Sequence, residues 1–176
     1  MNGLIRGDCG AFMNVAGKKT PRVLAVASRG GHWVQLLRLR PAWDGCQTTY
    51  VTTEPGYRDE VLADAAVRAQ PTPRFEVVPD GSMSTKLALA RQMFAMLKII
   101  VMVRPDVIIS TGAAPGFFAI WIGRLFRAKT IWVDSIANAE EMSLSGRKVG
   151  RYATLWLTQW KHLERPEGPK HWGGVL

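Results

Sequence analysis

The sequence has few cysteines and histidines. Cys9 and Cys46 are its only two cysteines, and only three histidines occur among 176 residues. There is no Cys-x-x-Cys pair and no Cys–His cluster, which disfavours a structural zinc site and a redox motif, and two isolated thiols fit a reducing compartment. No carboxylate pair or histidine cluster has the spacing of metal ligands. We therefore expect neither a metal ion nor a cofactor.

Long apolar runs are also missing. A transmembrane helix needs about 20 nearly uninterrupted apolar residues. The best candidates, residues 87–103 and 113–126, are interrupted by charged residues, and the second also by Pro115 and Gly116. The first twenty residues lack the continuous apolar core of a secretory signal. We expect a flexible leader over residues 1–20 and a protein that stays in the cytoplasm.

Acidic residues are scarce relative to basic ones. The chain has 23 Lys and Arg against 14 Asp and Glu, a formal net charge of +9 at pH 7. Such an excess predicts an anionic partner: nucleic acid, a lipid headgroup surface or a phosphorylated substrate. The basic residues are spread along the chain and no nucleic-acid-binding motif is present, which argues against nucleic acid. A membrane surface and a diphosphate ligand both remain open.

The pattern that is present is one of alternating strands and helices. Hydrophobic residues make up 47% of the chain, enough for one folded core. Short β-branched runs alternate with helical patterns, which predicts an α/β fold: a single Rossmann-like domain with a parallel sheet of about six strands. The predicted strands are 23–27, 48–53, 75–78, 107–109, 130–133 and 155–158, and the predicted helices are 33–39, 58–69, 85–103, 115–126 and 144–152. We assign residues 21–162 to this domain and 163–176 to a C-terminal tail. A ligand is expected at the carboxyl ends of the strands.

The first predicted strand runs into Ser28-Arg29-Gly30-Gly31-His32 and then a helix. Paired glycines let a ligand approach the backbone at a helix N-terminus, whose free N–H groups favour an anion. The loop is not the G-x-G-x-x-G of dinucleotide-binding proteins, and a simple tight turn would also use these glycines. We predict that Ser28, Gly30 and Gly31 bind phosphate or an acceptor, and that His32 is a catalytic base.

Two further loops follow strands at the same expected edge of the sheet. Ser110-Thr111-Gly112 leads into a second helix N-terminus with open backbone donors, although close strand–helix packing would use the same small residues. The fifth strand is followed by Asp134 and a long polar loop that contains Glu140. Asp134 could also serve as a helix cap. We predict that the first loop binds acceptor or phosphate and that Asp134 and Glu140 are catalytic.

Residues 85–103 predict a basic helix without acidic residues. Its apolar positions with helical spacing, predicted to face the core, are Leu87, Ala90, Phe94, Leu97 and Val101. This assignment leaves Met96 and other apolar side chains exposed, which exceeds what a soluble helix carries. The alternative is a peripheral membrane face. In that case Lys86, Arg91, Met96 and Lys98 contact the lipid.

Four motifs in a fixed order resemble a known family. They are Ser28-Arg29-Gly30-Gly31-His32, Ser110-Thr111-Gly112, Asp134-Ser135 through Leu144-Ser145-Gly146-Arg147, and Leu157-Thr158-Gln159-Trp160. Together they resemble the acceptor-side subunit of the two-component N-acetylglucosaminyltransferase of asparagine-linked glycosylation. They resemble its bacterial relatives in exopolysaccharide and capsule assembly more closely still. The resemblance extends from about residue 21 to the C-terminus.

The resemblance implies the N-terminal half of a GT-B glycosyltransferase. A separate small catalytic subunit would then supply the half that binds the UDP-sugar, and this chain would hold a lipid-diphosphate-linked sugar acceptor. It would also recruit its partner to the cytoplasmic face of the plasma membrane. Eukaryotic members carry an N-terminal membrane helix that the leader does not provide, so we expect peripheral attachment through residues 85–104. Trp160 and Trp172 are predicted to contact the partner.

Residues and resemblance together predict one half of a two-chain glycosyltransferase. A hydroxyl of a polyprenyl-diphosphate-linked saccharide would attack the anomeric carbon of a UDP-sugar while His32 removes the hydroxyl proton. Asp134 or Glu140 would orient the imidazole or replace it as the base. The alternative is a non-catalytic membrane adaptor that only docks and activates its partner, in which case Gly31 and His32 are structural.

Overall fold

A parallel β-sheet forms the centre of the structure, a computed structural model that describes residues 19–81 and 86–175. Its strands are β1 Arg22–Val26, β2 Gln47–Thr52, β3 Arg74–Val77, β4 Val107–Ser110, β5 Lys129–Val133, β6 Leu155–Thr158 and β7 Lys170–His171. Their spatial order is β3-β2-β1-β4-β5-β6-β7, and every neighbouring pair is parallel. The predicted α/β fold with a parallel sheet is confirmed.

Helices cover both faces of the sheet. They are α1 Gly31–Leu39, α2 Arg58–Val67, α3 Lys86–Val103, α4 Ala113–Leu125 and α5 Leu144–Val149. Successive side chains of a strand point to opposite faces, and β1 shows this directly. Leu24 and Val26 pack in the cluster formed with α3, α4 and α5, whereas Val23 and Ala25 pack in the cluster formed with α1 and α2. Burial on both faces explains why the strands are short apolar runs.

The sheet has one strand more than the sequence predicted. β7 lies in the segment assigned to the tail, and it pairs Lys170 with Leu157 and His171 with Thr158 of β6. A strand of two residues is too short to leave a periodic pattern, so sequence reasoning missed it. Most of the predicted leader, residues 1–18, and residue 85 at the predicted start of the third helix lie outside the described residues.

The buried face of α3 differs from the sequence assignment. The buried residues are Gln92, Met96, Ile99 and Ile100. The stripe predicted to be core is instead partly open to solvent, with Leu87 62% and Phe94 63% exposed. The prediction that Met96 contacts a membrane is wrong, because its side chain is 0% exposed. Apolar residues occur on both faces of this helix, so spacing alone could not identify the inner one.

The outer face of α3 alternates apolar and basic side chains. Leu87, Arg91, Phe94, Lys98 and Val101 are all exposed, and their spacing of three or four residues places them in one stripe along the helix. Within residues 19–81 and 86–175, no helix combines the length and hydropathy needed to cross a membrane.

Candidate functional site

The loops after β1, β4 and β5 meet at the carboxyl edge of the sheet. These three strands are consecutive neighbours, and their register aligns Val26 with Ser110 and Ser110 with Trp132. The chain therefore leaves all three strands at a similar level. α1 and α4 begin at this edge, so their first turns point N–H groups toward the same region.

The imidazole of His32 lies between the first two of these loops. Its Nδ1 is 3.0 Å from the hydroxyl oxygen of Ser28, and its carbonyl oxygen accepts a 2.6 Å hydrogen bond from the Thr111 hydroxyl. Gly112 lies against the ring: a Cβ added there would fall 2.5 Å from Nε2 and closer still to Cδ2. The absent side chain of Gly112 thus makes room for the imidazole.

Burial of His32 affects its protonation. Removal of the ring from water lowers the pKa of His32 below its ordinary value, and the negative charge of Asp134 opposes this shift without cancelling it. Desolvation disfavours the charged imidazolium. The lowered pKa favours the neutral ring, which has a nitrogen lone pair that can accept a proton.

The loop between β1 and α1 is held by side chains from the segment that follows β2. The Arg29 N–H donates to the Thr53 hydroxyl at 3.2 Å, and the Gly30 N–H donates to the Tyr57 hydroxyl at 3.2 Å. The Tyr57 ring stacks on Trp33 with a centroid separation of 5.0 Å. Gly30 has a φ of 77°, which glycine adopts without strain. The first-turn amides of α1 have no side-chain cap, so they can meet an anion.

The hydroxyls of Ser110 and Thr111 are engaged inside the protein. Both are 0% exposed. The Ser110 hydroxyl accepts from the Gly112 N–H at 3.3 Å and packs so closely on Gly116 that a Cβ there would overlap it. These two hydroxyls therefore shape the loop, and the binding of acceptor or phosphate predicted for this segment stays a prediction that concerns its backbone. The α4 N-terminus also lacks a side-chain cap.

Asp134 is buried and its carboxylate is fully engaged. It is 1% exposed and accepts from Trp132 Nε1, the Asn138 amide and both the hydroxyl and N–H of Ser143, at 2.6 to 3.2 Å. The Ser143 hydroxyl in turn caps α5 by accepting from the Gly146 N–H at 2.8 Å. None of these bonds reaches His32, so the structure shows no hydrogen bond by which Asp134 would orient the imidazole, and its effect on the ring is that of a nearby charge. Its carboxylate organises the loop after β5.

Glu140 lies on that same loop and is exposed. Within the described residues, its carboxylate forms no hydrogen bond or ion pair, in contrast to Glu141, which pairs with Arg147 at 2.6 Å. The structure therefore leaves Glu140 available to a ligand or a partner. It does not join Glu140 to His32.

A buried amide network that sequence reasoning missed lies behind the site. Gln35, one turn after His32, donates to the Ser135 hydroxyl at 3.2 Å. Gln159 donates to the Gln35 side-chain oxygen at 3.0 Å and to the Asp134 carbonyl at 2.9 Å. The network joins α1, the loop after β5 and the end of β6. A glutamine inside a helix ordinarily faces solvent, so only the presence of Gln159 in the fourth motif could have signalled it.

The C-terminal segment connects to this network. The Val175 N–H donates to the Gln159 side-chain oxygen at 2.9 Å, and Arg38 donates to the Val175 carbonyl at 3.1 Å. Trp160 is half-buried and donates to the Ile136 carbonyl at 2.9 Å, whereas Trp172 is 71% exposed. Of the two predicted partner contacts, Trp172 is the more available.

The predicted membrane residues lie on a different part of the molecule from His32. Lys86, Arg91 and Lys98 are exposed on α3, which packs on the face of the sheet opposite α1. The two regions are nevertheless related. A helix that follows a parallel strand begins at the carboxyl edge of the sheet, so Lys86, the first residue of α3, lies toward the same edge as His32.

Among the described residues, no group of three or more His, Cys, Asp and Glu side chains could hold a metal ion.

Comparison with known proteins gives one sequence relative and several structural ones. No family model matches the chain. It is 27% identical over 184 residues to the UDP-N-acetylglucosamine transferase subunit ALG14 of Eremothecium gossypii, an alignment that covers 91% of this chain and 82% of that protein.

Among solved structures, MurG of Acinetobacter baumannii has a TM-score of 0.61 at 14% identity, covering 88% of this chain and 45% of MurG. A UDP-N-acetylglucosamine 2-epimerase of Rickettsia bellii has a TM-score of 0.56 at 10% identity, covering 82% of this chain and 40% of the epimerase. The chain thus spans less than half the length of these two enzymes. The fold predicted from sequence, that of the N-terminal half of a GT-B glycosyltransferase, is confirmed by the likeness to MurG.

Proposed function

We propose that this chain is the acceptor-side subunit of a two-chain glycosyltransferase that uses a UDP-sugar donor. The observation that carries the proposal is the half-buried His32, held by Ser28 at the carboxyl edge of a sheet with the GT-B half fold. The relative from Eremothecium gossypii supports it, because that protein is named as a subunit of a UDP-N-acetylglucosamine transferase. A separate catalytic subunit would supply the half that binds the donor.

In the proposed reaction, His32 is the general base. A hydroxyl of the acceptor gives its proton to the imidazole while its oxygen bonds to the anomeric carbon of the donor sugar. The bond from that carbon to the UDP oxygen breaks, and UDP leaves on the partner's side of the cleft. Positioned proton transfer of this kind typically accelerates a reaction by about 10² to 10⁴. No step requires a metal on this chain.

Backbone amides are the proposed binding elements for the acceptor. The first turns of α1 and α4 are uncapped by side chains and begin at neighbouring strands. Gly30 and Gly31 leave the first of these open, since no atom lies within 4 Å of the position of an added Cβ at either residue. A diphosphate bound there would be held by N–H donors and by the two helix dipoles.

The acceptor class and the membrane contact are proposed together. We infer a polyprenyl-diphosphate-linked saccharide of exopolysaccharide or capsule biosynthesis, reached from the cytoplasmic face of the plasma membrane. The support is the outer stripe of α3, in which Phe94 lies between Arg91 and Lys98, all exposed. Aromatic and aliphatic side chains that enter the headgroup region beside basic residues are typical of interfacial helices.

An adaptor without catalytic residues is the second candidate. It is favoured by the engagement of Asp134, Ser110 and Thr111, all buried and hydrogen-bonded inside the protein. In this case the chain only brings a catalytic partner to the membrane. His32 then has no part in the chemistry.

Reconstitution separates the two candidates. The purified chain should transfer sugar from UDP-N-acetylglucosamine poorly by itself, and transfer should appear when a UDP-sugar-binding partner encoded by a neighbouring gene is added. His32→Ala should retain partner binding and lower the turnover of the pair by about 10² to 10⁴. A His32→Ala pair within a few-fold of the parent would support the adaptor, and full activity of the chain alone would rule out the two-chain arrangement.

A further inference from the structure

The hydroxyl of Ser28 is the polar group that holds the His32 ring. Its oxygen lies 3.0 Å from Nδ1 and 3.4 Å from the Arg29 carbonyl oxygen, to which it donates. The hydroxyl has one proton and two acceptor lone pairs. When that proton is directed to the carbonyl oxygen, the oxygen of Ser28 can only accept from the ring.

The direction of the Ser28 hydroxyl proton decides which ring nitrogen is protonated. If Ser28 accepts, the hydrogen of the neutral imidazole is on Nδ1, and the lone pair is on Nε2. Nε2 is the nitrogen beside Gly112, where an added Cβ would fall at 2.5 Å. Because an added Cβ would overlap the ring, the absent side chain of Gly112 lets Nε2 lie against the loop that follows β4, where the acceptor is proposed to bind.

We propose that Ser28 is a positioning residue that selects the Nδ1–H tautomer of His32 and so presents Nε2 as the base, while the absent side chain of Gly112 makes room for the ring in this orientation. This inference rests on the proposed function, because the tautomer of His32 affects catalysis only if His32 is the base. It replaces two sequence predictions: Ser28 holds the imidazole and not the acceptor, and the orienting group is Ser28 and not Asp134.

A neutral orienting group suits a base that must work near neutral pH. A carboxylate bonded to Nδ1 would stabilise the imidazolium. Ser28 orients the ring without adding charge. The charged group that acts on the ring is Asp134, from the end of β5, and its carboxylate is neutralised in part by four hydrogen bonds of its own.

The tautomer can be observed directly. In the full chain with ¹⁵N-labelled histidine, a spectrum that correlates ring nitrogens with ring protons distinguishes a protonated from an unprotonated nitrogen, and His32→Gln assigns the signals among the three histidines. We expect the proton of His32 on Nδ1. Ser28→Ala should move it to Nε2, whereas Ser28→Thr, which keeps the hydroxyl, should leave it on Nδ1.

A matched control is Thr48→Ala. Thr48 is half-buried, and its hydroxyl donates to the backbone carbonyl oxygen of Cys46 at the opposite edge of the sheet. It should leave the His32 signals unchanged. A proton on Nε2 in the parent chain overturns the proposal, and so does a proton that stays on Nδ1 in a folded Ser28→Ala chain.

Kinetics of the two-chain enzyme provide the second measurement. Ser28→Ala should lower kcat about tenfold, the usual worth of one hydrogen bond, with little change in the KM for the acceptor, and Ser28→Thr should restore most of it. An increase in KM at unchanged kcat would identify Ser28 as an acceptor ligand and contradict the proposal. If the parent pair transfers no sugar, the proposed function fails, while the tautomer measurement still decides whether Ser28 orients the ring.

Discussion

Burial of the His32 imidazole has a direct consequence for the dependence of activity on pH. Because burial lowers the pKa of His32 below its ordinary value, about 6.5, the base form persists into mildly acidic solution. The acid limb of kcat/KM for the two-chain enzyme should therefore lie below pH 6.5. The measurement is the pH profile of the parent enzyme, with acceptor well below its KM.

His32→Gln provides the comparison for that profile. Its residual activity should lack the acid limb, because the titrating group has been removed. The lowered pKa of His32 also affects the stability of the fold. The unfolded chain binds a proton at this imidazole more readily than the folded chain does. The contribution of His32 to folding is therefore complete above its pKa in the unfolded chain and declines as the pH falls below that value. An acid limb above pH 6.5 in the parent would contradict the assignment of His32 as the base.

Gly112 provides a second test of the site. Its φ of 149° lies in a region that other residues rarely adopt, and a Cβ there would overlap the His32 ring. Gly112→Ala should displace the imidazole and lower kcat/KM about 10²-fold, since small misplacements of a catalytic group have effects of this size. Gly174→Ala is the control, because the nearest atoms to its added Cβ are 4.0 Å away. Near-parent activity of a folded Gly112→Ala enzyme would show that the ring contact is unimportant.

Sequence reasoning found positions at this site better than it found interactions. Glycines before a helix and a histidine beside them are local patterns, and they led to Gly30, Gly31, Gly112 and His32. The partner of each side chain depends on which loops are neighbours, and therefore on the strand order. For that reason the engagement of Ser110, Thr111 and Asp134 inside the protein, and the contact of Ser28 with the imidazole, could not be predicted from spacing.

The outer stripe of α3 predicts binding to anionic vesicles. Each basic residue near such a surface contributes about 1 kcal/mol of attraction, so replacing Lys86, Arg91 and Lys98 by Glu should weaken binding by about 10²-fold or more. Flotation with vesicles that contain phosphatidylserine measures it. A variant with the same change of charge at the exposed residues Arg58, Lys148 and Lys161 is the control. Equal losses in both variants would indicate that only net charge matters.

The strands and helices themselves were predictable because each has a local pattern. The predicted limits of β6 agree with the structure, and those of β2 and β3 differ by one residue. What failed was the orientation of α3, since a helix that is apolar on both faces has no clear inner side. Gln92 would have been assigned to solvent, yet it is buried and donates to the Pro79 carbonyl at 2.7 Å.

Docking of a partner subunit should depend on Trp172. This side chain is 71% exposed beside a segment that is hydrogen-bonded to Gln159 and Arg38, so it is presented from a held backbone. Large exposed aromatics are frequent among the residues that dominate binding energy. Trp172→Ala should weaken association with the partner at least about tenfold in a titration, without changing the thermal stability of the chain.

Val67→Ala is the control for that titration. Val67 is 87% exposed on α2, so its truncation also removes apolar surface but far from the C-terminal segment. Unchanged affinity in Trp172→Ala would place the interface elsewhere. Deletion of residues 169–176 is a less clear experiment than the point variant, because it removes β7 as well.

The strand order also describes how the sheet can form during synthesis. β1 lies inside the sheet, with β2 and β3 on one side. β4 adds to the other edge of β1, and from β5 onward each strand adds to the strand before it. Because translation delivers the chain from its N-terminus, no strand after β4 has to wait for a later one before it can pair. The bonds of Val175 to Gln159 and Arg38 form only after the seven described strands have been made. The surroundings of α1 are therefore settled after those strands, although α1 precedes the other helices that the structure describes.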